Sequence, residues 1–381
     1  MSEAGPPRLA YRGPYSLSEL KTLVGEQFDV QDAFLDVAGI PTFIVRAIPV
    51  KDRFKTLTAR LGSLQLLPIL RHGGTGLILK VFNKPPVKAD RRSLSIVLLV
   101  VTLFTIYIAG YILWTENELW SIMLMPKASP YFQAALYTTC LAGIIGSHEL
   151  GHKIACNRHG LTASTPYFIP GFPPFGTFGA LISLKDPPTN RDELFDIGVA
   201  GALSGFLTLM IVTVLSMALG VHVPETQVKI LEEKNLVGPV MWPSSPLVFS
   251  AIFWLAEVFG VFTSPQGWTL ILAQILFAAW VGSLVTFLNL LPIWQLDGGH
   301  VARAVFGSRG HRFASVIGLT VLVVSGYWFF ALFLVMLMTA SRQAWAAAEP
   351  LENISPLSRG RRASYSVVIL IIILCFVAPP R

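Results

Sequence analysis

Residues 148–152 read HELGH, a pattern that can hold a catalytic metal ion. On an α-helix, His148 and His152 are separated by about 40° around the axis, so both imidazoles can reach one ion. Glu149 then lies beside the metal, where a carboxylate can accept a proton from bound water. The composition of the chain predicts only about 0.004 chance occurrences of this HExxH pattern. We therefore interpret HELGH as a strong indication of a zinc-dependent hydrolase.

A third ligand must come from elsewhere, because catalytic zinc commonly has three protein ligands and a fourth position for water. The acidic candidates in or beside long apolar segments are Asp196, Glu257 and Asp297. Asp196 is better explained as a charge near the start of a helix, where the helix dipole stabilises it. Asp297 follows a long apolar run and a break at Pro292, and the flexible Gly298-Gly299 would let its carboxylate approach the histidines. We expect Asp297 to be the ligand, with Glu257 second.

The composition predicts a membrane protein. Of the 381 residues, 53% are hydrophobic and 13% are charged, against the roughly 25% charged residues of soluble domains. Residues 1–92 hold 14 of the 29 Lys and Arg and 8 of the 22 Asp and Glu, so +6 of the net +7 lies there. Because Lys84, Lys88, Arg91 and Arg92 directly precede the first apolar run, the positive-inside rule places the N-terminal part in the cytosol. We expect a multi-pass protein of the cell membrane that contacts lipids and binds no nucleic acid.

Long uncharged runs predict about six membrane spans. The first four are expected at residues 93–114, 131–156, 195–219 and 268–291. The run 313–340 is too long for one straight span and is interrupted at Ser325-Gly326, so it forms either a tilted span or a hairpin. We favour the hairpin, because it keeps Arg359, Arg361 and Arg362 cytosolic. The final run, 365–378, leaves the span count and the side of the C-terminus open.

Residues 162–184 contain four prolines, three glycines and no charge, a composition that suits neither a normal helix nor open water. Irregular backbone is tolerated at bilayer depth only where protein or a water-filled cavity satisfies its polar groups. We predict a re-entrant, β-like segment that lines an internal chamber and holds spans two and three apart. Residues 222–246 are expected to be external, and residues 247–260 to form an interfacial or re-entrant helix.

Residues 1–92 predict a small soluble α+β domain, followed by a transmembrane part at 93–381 with its catalytic core at about 131–306. Four β segments are expected at 33–39, 42–50, 63–70 and 75–82, with an amphipathic helix at 52–61. No cleavable signal peptide is visible, so we expect the first span to act as the insertion signal. Cys140, Cys156 and Cys375 have no disulfide-like spacing and are expected to be free thiols.

HELGH within one span and NLLPIWQLDGGH after a later one resemble the motifs of the site-2 protease family of intramembrane zinc metalloproteases. GALISL followed by DELFDIGVAGALSGF resembles the strand and central helix of its prokaryotic and chloroplast branch, so the resemblance covers roughly residues 93–312. It implies one zinc ion bound by His148, His152 and Asp297, with Glu149 as general base. It also implies that Asn289 touches the substrate or the developing oxyanion. His300 departs from the arginine more often expected there, and we interpret it as a supporting residue and not a ligand.

The function we expect is hydrolysis of peptide bonds within membrane-spanning proteins, with zinc lowering the pKa of its bound water. A helical substrate must unwind to expose its carbonyls, and the edge of FGALISL, at Gly179, Ala180, Leu181 and Ile182, could hold it by β-addition. On the resemblance alone, the substrates are single-span membrane proteins. The alternatives are a non-catalytic metal-binding receptor or scaffold, and a metal or proton transporter. The presence of Glu149 argues against both.

Overall fold

A computed structural model describes residues 14–46, 49–74, 76–86, 89–233, 245–340 and 349–378. Within these residues the strands are Asp29–Leu35 (β1), Pro41–Arg46 (β2), Leu66–His72 (β3), Leu77–Asn83 (β4), Tyr167–Pro170 (β5), Thr177–Leu181 (β6), Val221–Pro224 (β7) and Trp268–Ile271 (β8). The helices are Leu17–Gly25 (α1), Val50–Ser63 (α2), Arg92–Thr115 (α3), Pro130–Arg158 (α4), Arg191–Ala218 (α5), Glu225–Glu233 (α6), Leu247–Val258 (α7), Leu276–Leu290 (α8), Asp297–Val324 (α9), Trp328–Ala340 (α10) and Arg359–Cys375 (α11), with a π-helical turn at Leu119–Leu124.

The N-terminal unit is an antiparallel sheet in the order β1-β2-β4-β3, covered by α1 and α2. Phe43, Phe54 and Leu79 are among the side chains fully buried in its core. The helix predicted at 52–61 is confirmed and is longer at both ends. Helix α1 was not predicted, although Ser16 and Glu19 form a capping box at its start.

Two of the predicted β segments have the wrong limits. Strand β1 ends at Leu35, because the Asp36 carboxylate accepts hydrogen bonds from the backbone N–H groups of Ala38 and Ile40 and turns the chain. Gly39 completes that turn at a φ of +73°. The segment 42–50 was expected to be one strand, but α2 begins at Val50 after the extended N-cap Pro49.

A distant segment completes the N-terminal unit. Leu351 is buried in the same core, and its carbonyl accepts a hydrogen bond from the Leu70 N–H over 2.9 Å. The Arg71 guanidinium donates to the carbonyls of Pro350 and Leu351 over 3.0 and 2.7 Å. The N–H groups of Leu351 and Glu352 bond in turn to residues just before α5. We call residues 349–354 the connecting segment, because they join the sheet to the helical part.

Helices α3 and α5 are long and apolar enough to cross a membrane, judged over the described residues by length and composition. Helix α5 lies against α4, α8 and α9, and much of its surface is buried. It crosses α4 closely at Gly151, where an added Cβ would collide with the Ala200 carbonyl and the Ser204 hydroxyl. The Ser204 hydroxyl also donates to the Ser147 carbonyl over 2.7 Å.

The segment 162–184 contains the two-stranded hairpin β5–β6, which packs along α3. Ser95 donates to the Pro166 carbonyl over 2.6 Å, and Thr105 donates to the Gly176 carbonyl over 2.7 Å. The expectation that this segment holds spans two and three apart is wrong, because α4 and α5 touch at Gly151. Small residues at that crossing allow the two helices to pack directly.

The predicted span 268–291 is wrong over its first residues. Residues Trp268–Ile271 form β8, which pairs antiparallel with β7 beyond the end of α5. Helix α8 begins only at Leu276. The aromatic and β-branched residues at 268–271 suit a strand, and their partner lies more than forty residues earlier in the sequence. The helix expected at 247–260 is observed as α7, while residues 234–244 of the segment expected to be external lie outside the described residues.

The interruption predicted near Ser325-Gly326 is confirmed. Helix α9 ends at Val324, and α10 begins at Trp328 and packs back against α9. The Tyr327 hydroxyl in this turn donates to the Val377 carbonyl at the end of α11 over 2.7 Å. The Arg361 guanidinium near the start of α11 pairs with Asp196 on α5. Helix α11 therefore extends from the start of α5 to the α9–α10 turn.

Candidate metal centre

His148 and His152 lie on consecutive turns of α4, near the end of that 29-residue helix. Their Nε2 atoms are 3.1 Å apart, and the two rings meet edge to face. Both side chains are largely buried. The helical spacing of HELGH therefore brings two imidazole nitrogens to one point, as the sequence predicts.

Asp297 reaches the same point from another helix. Its Oδ2 lies 3.0 Å from Nε2 of His148 and 3.3 Å from Nε2 of His152. These three atoms, one from each residue, form the metal-ligand cluster found among the described residues. Ligand atoms of a tetrahedral zinc site with bonds of about 2.0–2.2 Å are roughly 3.3–3.6 Å apart. The observed triangle is slightly tighter than this spacing and close to it.

Asp297 is the first residue of α9 and does not lie in a flexible loop. The expectation that a flexible Gly298-Gly299 lets its carboxylate approach the histidines is therefore wrong. Both glycines lie in the first turn of α9. A Cβ on Gly298 would collide with the Leu290 carbonyl, and a Cβ on Gly299 would collide with that of Trp294. The two glycines allow α9 to begin directly against the preceding chain, which fixes the Asp297 carboxylate.

The protonation pattern of the site fits a cation. Nδ1 of His152 lies 2.8 Å from the Ile197 carbonyl, and a carbonyl can only accept, so Nδ1 carries the proton. In the neutral ring Nε2 then presents a lone pair toward Asp297. The Oδ2 atom of Asp297 is buried and has no hydrogen-bond donor among the described residues. Lone pairs that converge in this way repel one another unless a cation lies between them, and two imidazoles with one carboxylate are ligands that zinc accepts.

Helix α5 shapes the space that the two imidazoles occupy. A Cβ on Gly201 would collide with the His152 ring, and a Cβ on Gly205 would lie 3.2 Å from Cβ and Nδ1 of His148. A Cβ on Gly198 would lie 2.9 Å from the backbone carbonyl oxygen of Asp297. No role was predicted for Gly201, although its spacing of three and four residues from Gly198 and Gly205 places all three on one helix face.

A cavity of about 280 Å³ opens beside the cluster. Glu149 is buried and lines this cavity, as does Asn289 on α8. The second strand of the hairpin and the residues after it form another part of the wall, so the end of the segment 162–184 lines a cavity, as predicted. All four residues predicted to hold substrate belong to that wall, namely Gly179, Ala180, Leu181 and Ile182. Strand β6 ends at Leu181, so Ile182 lies just beyond it.

The other two acidic candidates are not near the cluster. The Asp196 carboxylate bonds to His159 over 2.9 Å and to the Arg361 guanidinium over 2.6 Å. Glu257 is exposed on α7. His300 lines the cavity one turn after Asp297 but does not belong to the three-atom cluster.

Ion pairs fix the chain on either side of the hairpin. Asp186 lies 2.7 Å from the Lys84 ammonium, and Asp90 lies 2.9 Å from the Lys185 ammonium. Burial raises the pKa of Asp186, but the hydrogen bonds from Lys84 and Thr162 lower it further, so the pKa is below its usual value. The carboxylate therefore stays ionised at neutral pH and anchors the chain that follows β6 to the segment before α3.

A buried HExxH helix whose metal cluster is closed by an aspartate from a second helix defines a class of metal-dependent hydrolases. Residues 136–334 match the profile described as peptidase family M50, which is more than half of the chain. The chain belongs to this family.

Several curated plant proteins are similar to the chain. It is 29% identical over 264 residues to the rice (Oryza sativa subsp. indica) "Probable zinc metalloprotease EGY2, chloroplastic", covering 67% of this chain and 45% of that protein. It is 26% identical over 213 residues to the Arabidopsis thaliana protein of the same name, covering 55% and 35%. It is 27% identical over 271 residues to rice (subsp. japonica) "Probable zinc metalloprotease EGY1, chloroplastic", covering 65% and 44%. The chain thus spans less than half the length of these relatives. No solved structure gives a significant match.

Proposed function

We propose that this protein is a zinc-dependent endopeptidase that cleaves peptide bonds within the membrane-spanning segments of other proteins. The observation that carries the proposal is the convergence of His148, His152 and Asp297 on one point, with Glu149 beside them in the wall of a cavity. The relatives named above are called probable zinc metalloproteases, which supports both the metal and the reaction class.

Nε2 of His148, Nε2 of His152 and a carboxylate oxygen of Asp297 would hold the one zinc ion. Zinc bound there would supply a water of lowered pKa and a positive charge for the carbonyl oxygen of the scissile bond. The Ile197 carbonyl keeps the proton of His152 on Nδ1, and so keeps Nε2 free to bind. Glycines at the contact surface of α5 leave room for both rings.

Glu149 acts as the general base and then as the acid. Its carboxylate takes a proton from the attacking water and delivers it to the leaving amine, the same two transfers that this residue type performs on HExxH helices. Asn289 lines the cavity from α8 and donates its amide hydrogen bond to the substrate carbonyl as negative charge develops.

Strand β6 offers an edge for an unwound substrate. The hairpin has two strands, and among the described residues no third strand pairs with the second edge of β6. An extended peptide added along Gly179–Ile182 would make main-chain hydrogen bonds there and pass in front of the cluster, since these residues line the same cavity.

The catalytic core lies in a multi-pass arrangement of about six spans in the cell membrane. Helices α3, α4, α5 and α8 form four spans, and the α9–α10 hairpin and α11 complete the arrangement. Residues 1–92 form a cytosolic domain whose core includes Leu351 of the connecting segment. The bonds from Arg71 to the connecting segment and from Arg361 to Asp196 support one shared side for the sheet, the start of α5 and the start of α11. The concentration of Lys and Arg at 1–92 supports a cytosolic location for that side.

The substrates are single-span membrane proteins, which enter from the surrounding lipid.

A non-catalytic receptor would need the metal cluster but not a buried carboxylate beside it, and the burial of Glu149 favours the enzyme. A transporter would need polar groups along a path through several helices. The ionisable residues of the cavity instead gather at one end, on α4 and α9.

The test is to purify wild type and Glu149→Gln, measure bound zinc, and assay both on a panel of single-span proteins in proteoliposomes. We expect about one zinc per chain in both, and cleavage by wild type alone. Equal cleavage by the two proteins, or zinc-loaded wild type that cleaves nothing in the panel, would contradict the proposal.

A further inference from the structure

His300 is a partly buried polar residue in the cavity wall that the proposed mechanism does not use. It lies in the first turn of α9, three residues after Asp297, and its side chain lines the same cavity. A Cβ built on Gly198 would lie 3.3 Å from the Cβ of His300, so α5 packs closely against this part of α9. The start of the His300 side chain is therefore held close to α5.

One nitrogen of the ring has no hydrogen bond within the described part of the chain. Nδ1 of His300 is buried and has no hydrogen-bond partner among the described residues. Buried polar atoms in proteins nearly always have a partner, and an isosteric apolar side chain would fill the space without that unfavourable desolvation. Packing alone thus gives no reason for a histidine at this position.

His300 is also not part of the metal cluster. The ligand atoms of His148, His152 and Asp297 are mutually within 4.8 Å, and His300 does not join that group. A cation bound at the cluster would satisfy Oδ2 of Asp297, which has no hydrogen-bond donor in the described ranges. Nδ1 of His300 needs a different partner. The His300 side chain lines the cavity, so a peptide bound there brings backbone carbonyl and N–H groups close to the imidazole.

We propose that His300 is a further catalytic residue, whose imidazole donates a hydrogen bond to the carbonyl oxygen of the peptide bond being cleaved. It acts with Asn289, which faces the cavity from α8, so that donors on two helices approach the same substrate group. The hydrogen bond strengthens as the carbonyl oxygen gains negative charge in the transition state. The inference rests on the proposed function.

The test compares His300→Leu, which fills similar space without a donor, with His300→Gln, which retains one. Cleavage kinetics are measured on a single-span substrate in proteoliposomes, together with zinc content and thermal stability. Substrate affinity is measured for each variant in a Glu149→Gln background. For His300→Leu we expect kcat to fall about 10²-fold, as when one oxyanion donor is removed, with zinc content and affinity unchanged. His300→Gln should recover at least about tenfold of that loss.

The inference is overturned if His300→Leu keeps kcat within about threefold of wild type. It is equally overturned if that variant loses zinc, because His300 would then support Asp297, or if only substrate affinity falls. The wild-type and Glu149→Gln proteins separate the two proposals. If the wild type fails to cleave, both the proposed function and this inference are contradicted. If the wild type is active and His300→Leu is equally active, only this inference is contradicted.

Discussion

Nδ1 of His152 donates a hydrogen bond to the carbonyl of Ile197 over 2.8 Å, and the opposite nitrogen of the same ring faces Asp297 at 3.3 Å. One backbone carbonyl of α5 thus determines which nitrogen of an α4 histidine is free for metal. The third ligand arrives on α9, so three helices fix the site jointly.

Replacing Asp297 with Ala should abolish stable zinc binding. The change removes the one anionic ligand and leaves two neutral imidazoles. The zinc affinity should therefore fall by more than the roughly 10–100-fold that is typical when a residue hydrogen-bonded to a metal ligand is replaced. Zinc is measured after dialysis against a weak chelator. Glu257→Ala is the matched control, because Glu257 is exposed on α7 and should keep full zinc and activity. Zinc loss in the control but not in Asp297→Ala would reverse the ligand assignment.

Gly201→Ala should impair the site without changing any group that carries chemistry. The new methyl group would occupy the position of the His152 ring, so either the ring rotates away or α5 separates from α4. We expect zinc affinity to fall by about 10–100-fold and cleavage to fall with it. Gly146→Ala on α4 is the control, since nothing lies within 4 Å of a Cβ at that position. Equal zinc affinity in the two variants would show that α5 does not position His152.

Much of the metal centre could be predicted from the sequence, because the spacing of His148 and His152 is a local property of a helix. Asp297 could be proposed because few acidic residues lie beside apolar runs. The role of Gly201 could not be predicted, because it depends on the His152 ring that packs against this glycine in the folded protein. The same applies to β8, which was included in a predicted span because its partner β7 is distant in the sequence.

Leu351→Ala should destabilise the N-terminal sheet although the residue is remote from it in sequence. Leu351 is 4% exposed within that core, and removing a buried leucine side chain costs about 2–5 kcal/mol of unfolding free energy. Hydrogen exchange of the Leu70 amide, which bonds to the Leu351 carbonyl, should accelerate accordingly. Val37→Ala in an exposed turn is the control. Unchanged protection at Leu70 would mean that the connecting segment does not hold the sheet.

The contacts of the connecting segment could not be predicted from the sequence. Residues 349–354 have no periodicity that predicts a strand or helix, and their contacts join β3 to the start of α5. A boundary at residue 92 therefore describes the chain order but not the packing, because one side of the N-terminal core is supplied from beyond the last apolar hairpin.

Ile182→Pro should reduce cleavage while zinc content stays at the wild-type level. Proline removes the backbone N–H just beyond β6 that an added strand would use, and it restricts the chain beside the cavity. Zinc analysis and cleavage of a single-span substrate are compared with Ile182→Val, which keeps the N–H and should remain active. A proline variant that loses zinc would indicate a disturbed site, and one that cleaves normally would exclude strand addition at this position.

X-ray absorption at the zinc edge tests the central claim most directly. Purified wild type should show nitrogen and oxygen ligands at about 2.0–2.2 Å with the multiple scattering of two imidazoles, and Asp297→Asn should alter the oxygen contribution or release the metal. A sulfur ligand at about 2.3 Å, or a spectrum unchanged by the Asp297 substitution, would contradict a zinc site formed by His148, His152 and Asp297.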